Sequence, residues 1–436
     1  MVRTRLMANS FFAPDRRCFL AGFGTAAVTA MVSRAAVAQA PQTLRIEAKT
    51  DAILLRPGGP PTPIWGLDPS AAPLRLKAGQ VEVRFRNGLP VPAVLDWRGV
   101  DGAAAAEPLT ARPPIPPGAE VTFPLPLRRA GTYFADLRPL AAPDAPPCRP
   151  LPFIVEESLP IPADRDQTIL IEDWRDQSAG PQPSGGDPPP LFTVNGQILP
   201  DIAIRSGERL RLRFINGGQQ QVIAVKIEDL EVRVIAMDSA PAEPFPARNG
   251  ALVLAPGGRV DALIDATAAP GAVSHILLHD GQQARPLARL VASAETPVRS
   301  TPLPAAPALP SDGLPAQLDL KSAARVDLAL QGGDWVTPSH FSAAQSPAFK
   351  AKAGRTIVLA LNNRAELATS FHLDGHHFRL LDRLDDGWKP FWLDTLMVEP
   401  GQTQRVAFAA FPGRWLIEST ATRWAAPRLI RWFSVD

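Results

Sequence analysis

The sequence predicts an all-β fold divided among several sandwich domains, and three observations carry that prediction. At 436 residues the chain is too long for one ordinary core and suits two or three domains of roughly 100 to 200 residues. Its 31 glycines and 49 prolines break it into short segments, a density of turn formers that long helices do not tolerate. Between them run brief stretches of alternating apolar and polar residues, such as Val81-Glu82-Val83-Arg84-Phe85, the pattern of half-buried strands.

The first forty residues stand apart from this pattern. Arg16-Arg17-Cys18-Phe19-Leu20, an apolar run to Val32, and Ala36-Val37-Ala38 as a cleavage site read as a twin-arginine export signal, which predicts a periplasmic protein. The alternative, a permanent anchor, is opposed by Gly22 and Gly24 and by a run shorter than the roughly 20 residues a membrane helix needs. Removing residues 1–40 takes five arginines and one aspartate, turning the formal net charge from +2 to −2. A nearly neutral chain without a basic run excludes nucleic acid as a natural partner. Cys18 leaves with the signal, so Cys148 has no second cysteine to pair with.

Residues 41–158 form the first predicted domain, with Leu74–Lys77, Val81–Phe85 and Val121–Leu125 as strands. It contains Asn87-Gly88-Leu89 leading to Leu95-Asp96-Trp97-Arg98-Gly99, and later Gly131-Thr132-Tyr133-Phe134-Ala135-Asp136-Leu137-Arg138. The second domain, 159–293, holds Phe192-Thr193-Val194-Asn195-Gly196, Arg209–Asn216 and Leu254–Asp261, with a Pro/Gly-rich run from Ser178 to Pro190. His275 and His279 flank Ile276-Leu277-Leu278 and read as ordinary strand histidines. Residues 294–315, rich in Pro and Ala, form a semi-rigid linker to the third domain, 316–436. There stand Thr369-Ser370-Phe371-His372-Leu373-Asp374-Gly375-His376-His377 and Phe411-Pro412-Gly413-Arg414-Trp415-Leu416-Ile417-Glu418-Ser419-Thr420.

These stretches resemble the motifs of the multicopper oxidases over nearly the whole chain after residue 40. The resemblance implies three cupredoxin-like Greek-key sandwiches. It also identifies which positions would hold copper. The late motif of the family reads His-Pro-x-His-Leu-His-Gly-His. By that alignment Thr369, Ser419 and Trp424 stand at type 1 positions, with Leu429 near the axial place. The four His-x-His pairs of the trinuclear site correspond to Asp96/Arg98, Asp136/Arg138, His372/Asp374 and Glu418/Thr420. One of eight imidazoles is retained.

A thiolate and imidazoles are what type 1 copper requires, and a serine hydroxyl at 419 supplies neither. Arginine cannot ligate a cation and matches carboxylates with a planar fork. The sequence therefore predicts that Arg98 and Arg138 pair with Asp96, Asp136, Asp374 and Glu418 in a buried pocket; the alternative is that they splay into solvent. His372, His376 and His377 with Asp374 are candidates for a small residual metal site. The expected cofactor is none, and copper enters only under the alternative of an oxidase of phenols or metal ions. The resemblance is to the ligand-depleted members of the family, which implies a binding or scaffolding protein with a protein partner, tied to cell division or the envelope. Five methionines and no Met/His-rich loop oppose a metallochaperone.

Overall fold

The computed structural model describes residues 42–436 except 70–72, 141–144, 160, 176–189, 219–220, 282, 312, 383–386 and 425. The export-signal stretch and nearly all of the Ser178–Pro190 run lie outside the described residues. Strands dominate, arranged in six sheets, and the helices among the described residues are single 3-10 turns such as Ala104–Ala106 and Pro338–His340. No helix among the described residues is long and apolar enough to cross a membrane.

Two sheets close over each of three main cores. The first core runs from Leu44 to Val155 and joins a four-stranded sheet containing Gly79–Asn87 to another containing Ala93–Arg98 and Gly131–Pro139. The second, Ile169 to Ala292, lies between sheets of six and five strands, and the third, Leu328 to Val435, between sheets of four and five. Each predicted strand falls in an observed one: Leu74–Lys77 is reproduced, Val81–Phe85 sits inside Gly79–Asn87, and Val121–Leu125 inside Glu120–Leu127.

A topological repeat links the three cores although no sequence repeat announces it. Every one of the six sheets contains one parallel pair, formed by an early strand and a later one. In the first core Gln42–Ile53 runs parallel to Gly79–Asn87, and in the second Arg165–Arg175 runs parallel to Arg209–Asn216. Parallel neighbours cannot be joined by a tight hairpin, so the chain crosses to the facing sheet in between, which makes each unit a closed sandwich and not a meander.

The cores are stitched together by buried polar contacts. Thr132 of the first donates its hydroxyl to Asp261 of the second at 2.6 Å and accepts Arg213 Nη1 at 2.8 Å. The 294–315 stretch is held to the second core, with Arg209 donating to the Leu303 and Pro304 carbonyls and Ala306 buried.

Candidate functional site

The strand Ala93–Arg98 pairs antiparallel with Gly131–Pro139, placing Asp96 directly opposite Asp136. Side chains two apart share a face. The apolar members Leu95, Trp97 and Leu137 turn into the first core, and the charged members turn away from it. Two carboxylates opposite each other repel. The same register sets Arg138 beyond one side of the pair and Arg98 beyond the other, so the face reads cation, two anions, cation.

The third core supplies the rest. Thr369–Leu373 pairs with Gly413–Ala421, with His372 opposite Glu418 and Ser370 opposite Thr420. These four share the face turned toward the charged face of the first core. Arg98 donates to Glu418, and Arg138 forms an ion pair with the other Glu418 oxygen; Arg138 also donates to Asp96, and both arginines lie near Asp136 Oδ2, at 3.5 and 3.3 Å. All five side chains are buried, at most 6% exposed as residues, so they do not splay into solvent. Burial alone would discharge Arg98, but Glu418 and Asp96 hold it charged. Burial likewise raises Glu418, and the two arginines reverse this and bring its carboxyl down to about 2.

Asp374 departs from the expected pairing. It meets His372, whose Nε2 lies 2.8 Å from Asp374 Oδ1, and neither Asp374 oxygen has an arginine as ion-pair partner among the described residues. Burial, with Asp96 adding repulsion, raises its carboxyl to about 6 despite His372. The other side of His372 faces Asp394 at 3.6 Å and the Thr395 hydroxyl at 3.0 Å. Burial and Arg98 depress the imidazole, and Asp394 with Asp374 outweigh them, raising it to about 9. Asp394 in turn is gripped by Arg259 of the second core at 2.6 and 3.0 Å.

His376 and His377 do not join His372. His376 sits among Phe408, Phe411, Trp415 and Phe433, contacts the Asp374 carbonyl through Nδ1 at 3.0 Å, and accepts the Phe411 amide with Nε2 at 2.9 Å. Burial pulls it down to about 4. His377 meets Asp101 at 2.6 Å, with Arg129 beside it, and the Asp238 carbonyl. Both nitrogens of each ring are thus taken by protein partners. The cluster that sequence reasoning did not assemble is Asp96, His372 and Asp374, whose ligating atoms lie within 4.8 Å of one another.

The three type 1 positions lie apart from this network. Thr369 and Ser419 sit on strand positions alternate to His372 and Glu418, so they face the opposite way. Ser419 is buried and donates to the Leu330 carbonyl at 2.7 Å. Trp424 is half-buried and stacks with Arg175, whose guanidinium carbon is 4.1 Å from the ring centre. His275, inside the strand Val273–His279, contacts Glu228 at 3.1 Å, and His279 at its end accepts a local amide.

Sequence reasoning missed two residues here. Arg428 donates to Asp136 from the outer edge of the network. Cys148, remote in sequence, lines the same cleft as Arg98, Asp136, His372 and Glu418, and burial keeps its thiol protonated well above the usual range. The sequence signal for Arg428 was only its spacing of ten residues from Glu418, which a strand and its returning partner bring back together.

Comparison with known proteins fits this arrangement. Residues 165–279 and 313–436, together more than half of the chain, each match a family model described as multicopper oxidase. A multi-copper oxidase from Pseudomonas thermotolerans superposes with a TM-score of 0.75 at 24% identity, covering 91% of this chain and 99% of that one. Lac15 from a marine microbial metagenome gives 0.73 at 25% identity over 91% and 100%. The chain is also similar to Laccase-3 of Oryza sativa subsp. japonica, 28% identical over 129 residues, which is 28% of this chain and 22% of the rice protein. Three two-sheet cores with the cupredoxin-like crossover, two family matches and these superpositions lead to one conclusion: the chain belongs to the multicopper oxidase family.

Proposed function

We propose that this protein is a copper-free member of its family, exported to the periplasm and working as a binding or scaffolding protein without catalysis. The observation that carries the reading is the position of Arg98 and Arg138. Two buried guanidiniums fill the space between Asp96, Asp136 and Glu418, with their forks already directed at those carboxylates. The donor set does not fit copper: fixed cations stand among the acids, the hydroxyl of Ser419 is committed to Leu330, and His372 is flanked on both nitrogens. A rigid, internally neutralised junction leaves the outer surface as the working part, and the resemblance to ligand-depleted relatives suggests an assembly of the envelope or of cell division as the partner.

A second reading, residual metal binding, is favoured by the convergence of Asp96, His372 and Asp374. Arg138 donating to Asp96 weighs against it. Metal analysis of protein exported with its own signal and loaded with Cu(I) distinguishes the two. The expected result is less than stoichiometric copper and no intense blue band. A blue band abolished in Ser419→Ala would overturn the proposal. The scaffold role predicts that His372→Ala still complements a deletion strain; loss of complementation with fold and stability intact would restore a metal or catalytic role.

A further inference from the structure

The buried network opens outward through a cleft where all three cores meet. Its walls carry Arg98, Asp136, Ser370, His372, Glu418 and Arg428, and its volume is about 40 Å³. At roughly 10 to 15 Å³ for each water-sized occupant, that is space for about three small groups.

The hydrogen-bonding capacity left over in this cleft is uneven. Asp136 already faces Arg98, Arg138 and Arg428, and Glu418 faces Arg98 and Arg138. Both nitrogens of His372 are occupied. Arg428, by contrast, commits only Nη1 among the described residues, leaving its Nε and Nη2 donors. Ser370 is 93% buried, shares the face of His372 and Thr420, and its hydroxyl has no hydrogen-bond partner among the described residues. Thr420 opposite is half-buried, and its hydroxyl likewise has no hydrogen-bond partner among the described residues. A hydroxyl that lines the cleft without a protein partner is free to donate to an acceptor brought there, and an arginine donates in forks. The occupant that answers these groups brings acceptors, is small, and carries negative charge to meet the spare donors of Arg428.

We propose that this cleft binds a small planar monovalent oxyanion of three or four heavy atoms, the chemical class of formate, bicarbonate and nitrate, held by Arg428, Ser370 and Thr420. The site goes beyond the scaffold role and stands or falls without it.

Formate is the probe, followed by saturation transfer from the protein to its single carbon-bound proton. Saturable transfer that nitrate displaces, and that sulfate at matched ionic strength does not, is the expected result. Arg428→Gln weakens binding by about tenfold and Ser370→Ala by about threefold, since a charge-assisted hydrogen bond is worth roughly twice a neutral one. Ser370→Ala removes no protein hydrogen bond among the described residues, so its unfolding midpoint stays close to the wild-type value and separates lost binding from lost fold. Absence of saturable transfer, equal displacement by sulfate, or unchanged affinity in both variants would overturn the proposal.

Discussion

Arg98 of the first core donates to Glu418 of the third, 320 residues further along the chain, with both side chains buried. The pair is also contacted by Arg138, so removing any member leaves an uncompensated charge in the interior. Arg98→Met or Arg138→Met is expected to cost roughly 3 to 5 kcal/mol in denaturant unfolding. Combining Arg98→Met with Glu418→Gln is expected to cost clearly less than the sum of the two single changes. Additivity within error in this double-mutant cycle would mean that the network is solvated.

That Arg98 and Arg138 meet buried carboxylates was readable from the repeated Asp-x-Arg, but which carboxylate faces which arginine was not, because it is set by the antiparallel register of the two strands. The Glu418 contact was readable only through the family resemblance, since it depends on how two cores dock. Asp374 went the other way: its neighbour two positions back, His372, takes it before an arginine does. Arg259, Asp394, Asp101 and Arg129 gave no such signal, because each is a single charge whose partner lies in a remote strand or loop. Strand alternation made the sheets legible; the docking of sheets into one charged interior is a property of the tertiary fold.

Stability is expected to fall on the alkaline side through His372. Its folded value of about 9 exceeds the usual 6.5, so its contribution is complete below pH 6.5 and is lost as pH rises through 9. His372→Gln is expected to flatten that slope in unfolding free energy measured between pH 6.5 and 9. An unchanged slope would mean that other groups carry it.

On the acid side Glu418 and Asp101, both held near 2, contribute stability above the usual carboxylate range that disappears as pH falls toward 2. His376 adds to the loss earlier, between 6.5 and 4, because the unfolded chain binds its proton and the aromatic box does not. Asp374, raised to about 6, acts in the opposite sense between 6 and 3.8 because its folded form takes up a proton first. The His376 phase is therefore read as the difference between wild type and His376→Leu in thermal unfolding at one-unit pH steps, and no difference between pH 6.5 and 4 would mean that His376 does not carry it.

Gly375 has φ of +68°, and a Cβ there would lie 2.1 Å from the Trp415 ring, which is fully buried. Gly375→Ala combines left-handed backbone strain with a collision that the packed indole cannot relieve. A loss of about 3 kcal/mol or more is expected in chemical denaturation. A change below 1 kcal/mol would show that the turn re-forms.

The sharing of buried charge among cores also decides how the protein can be taken apart. Arg259 lies in the second core and its carboxylate partner Asp394 in the third; Arg98 lies in the first and Glu418 in the third; Thr132 and Asp261 tie the first to the second. Every cut between cores therefore exposes a face of orphaned ions and hydroxyls built for a neighbour that is no longer there. Expressed as separate fragments, the three units would have well-formed apolar interiors and mutually attracting, poorly solvated ends, so two fragments mixed together would reassemble more readily than either would remain alone.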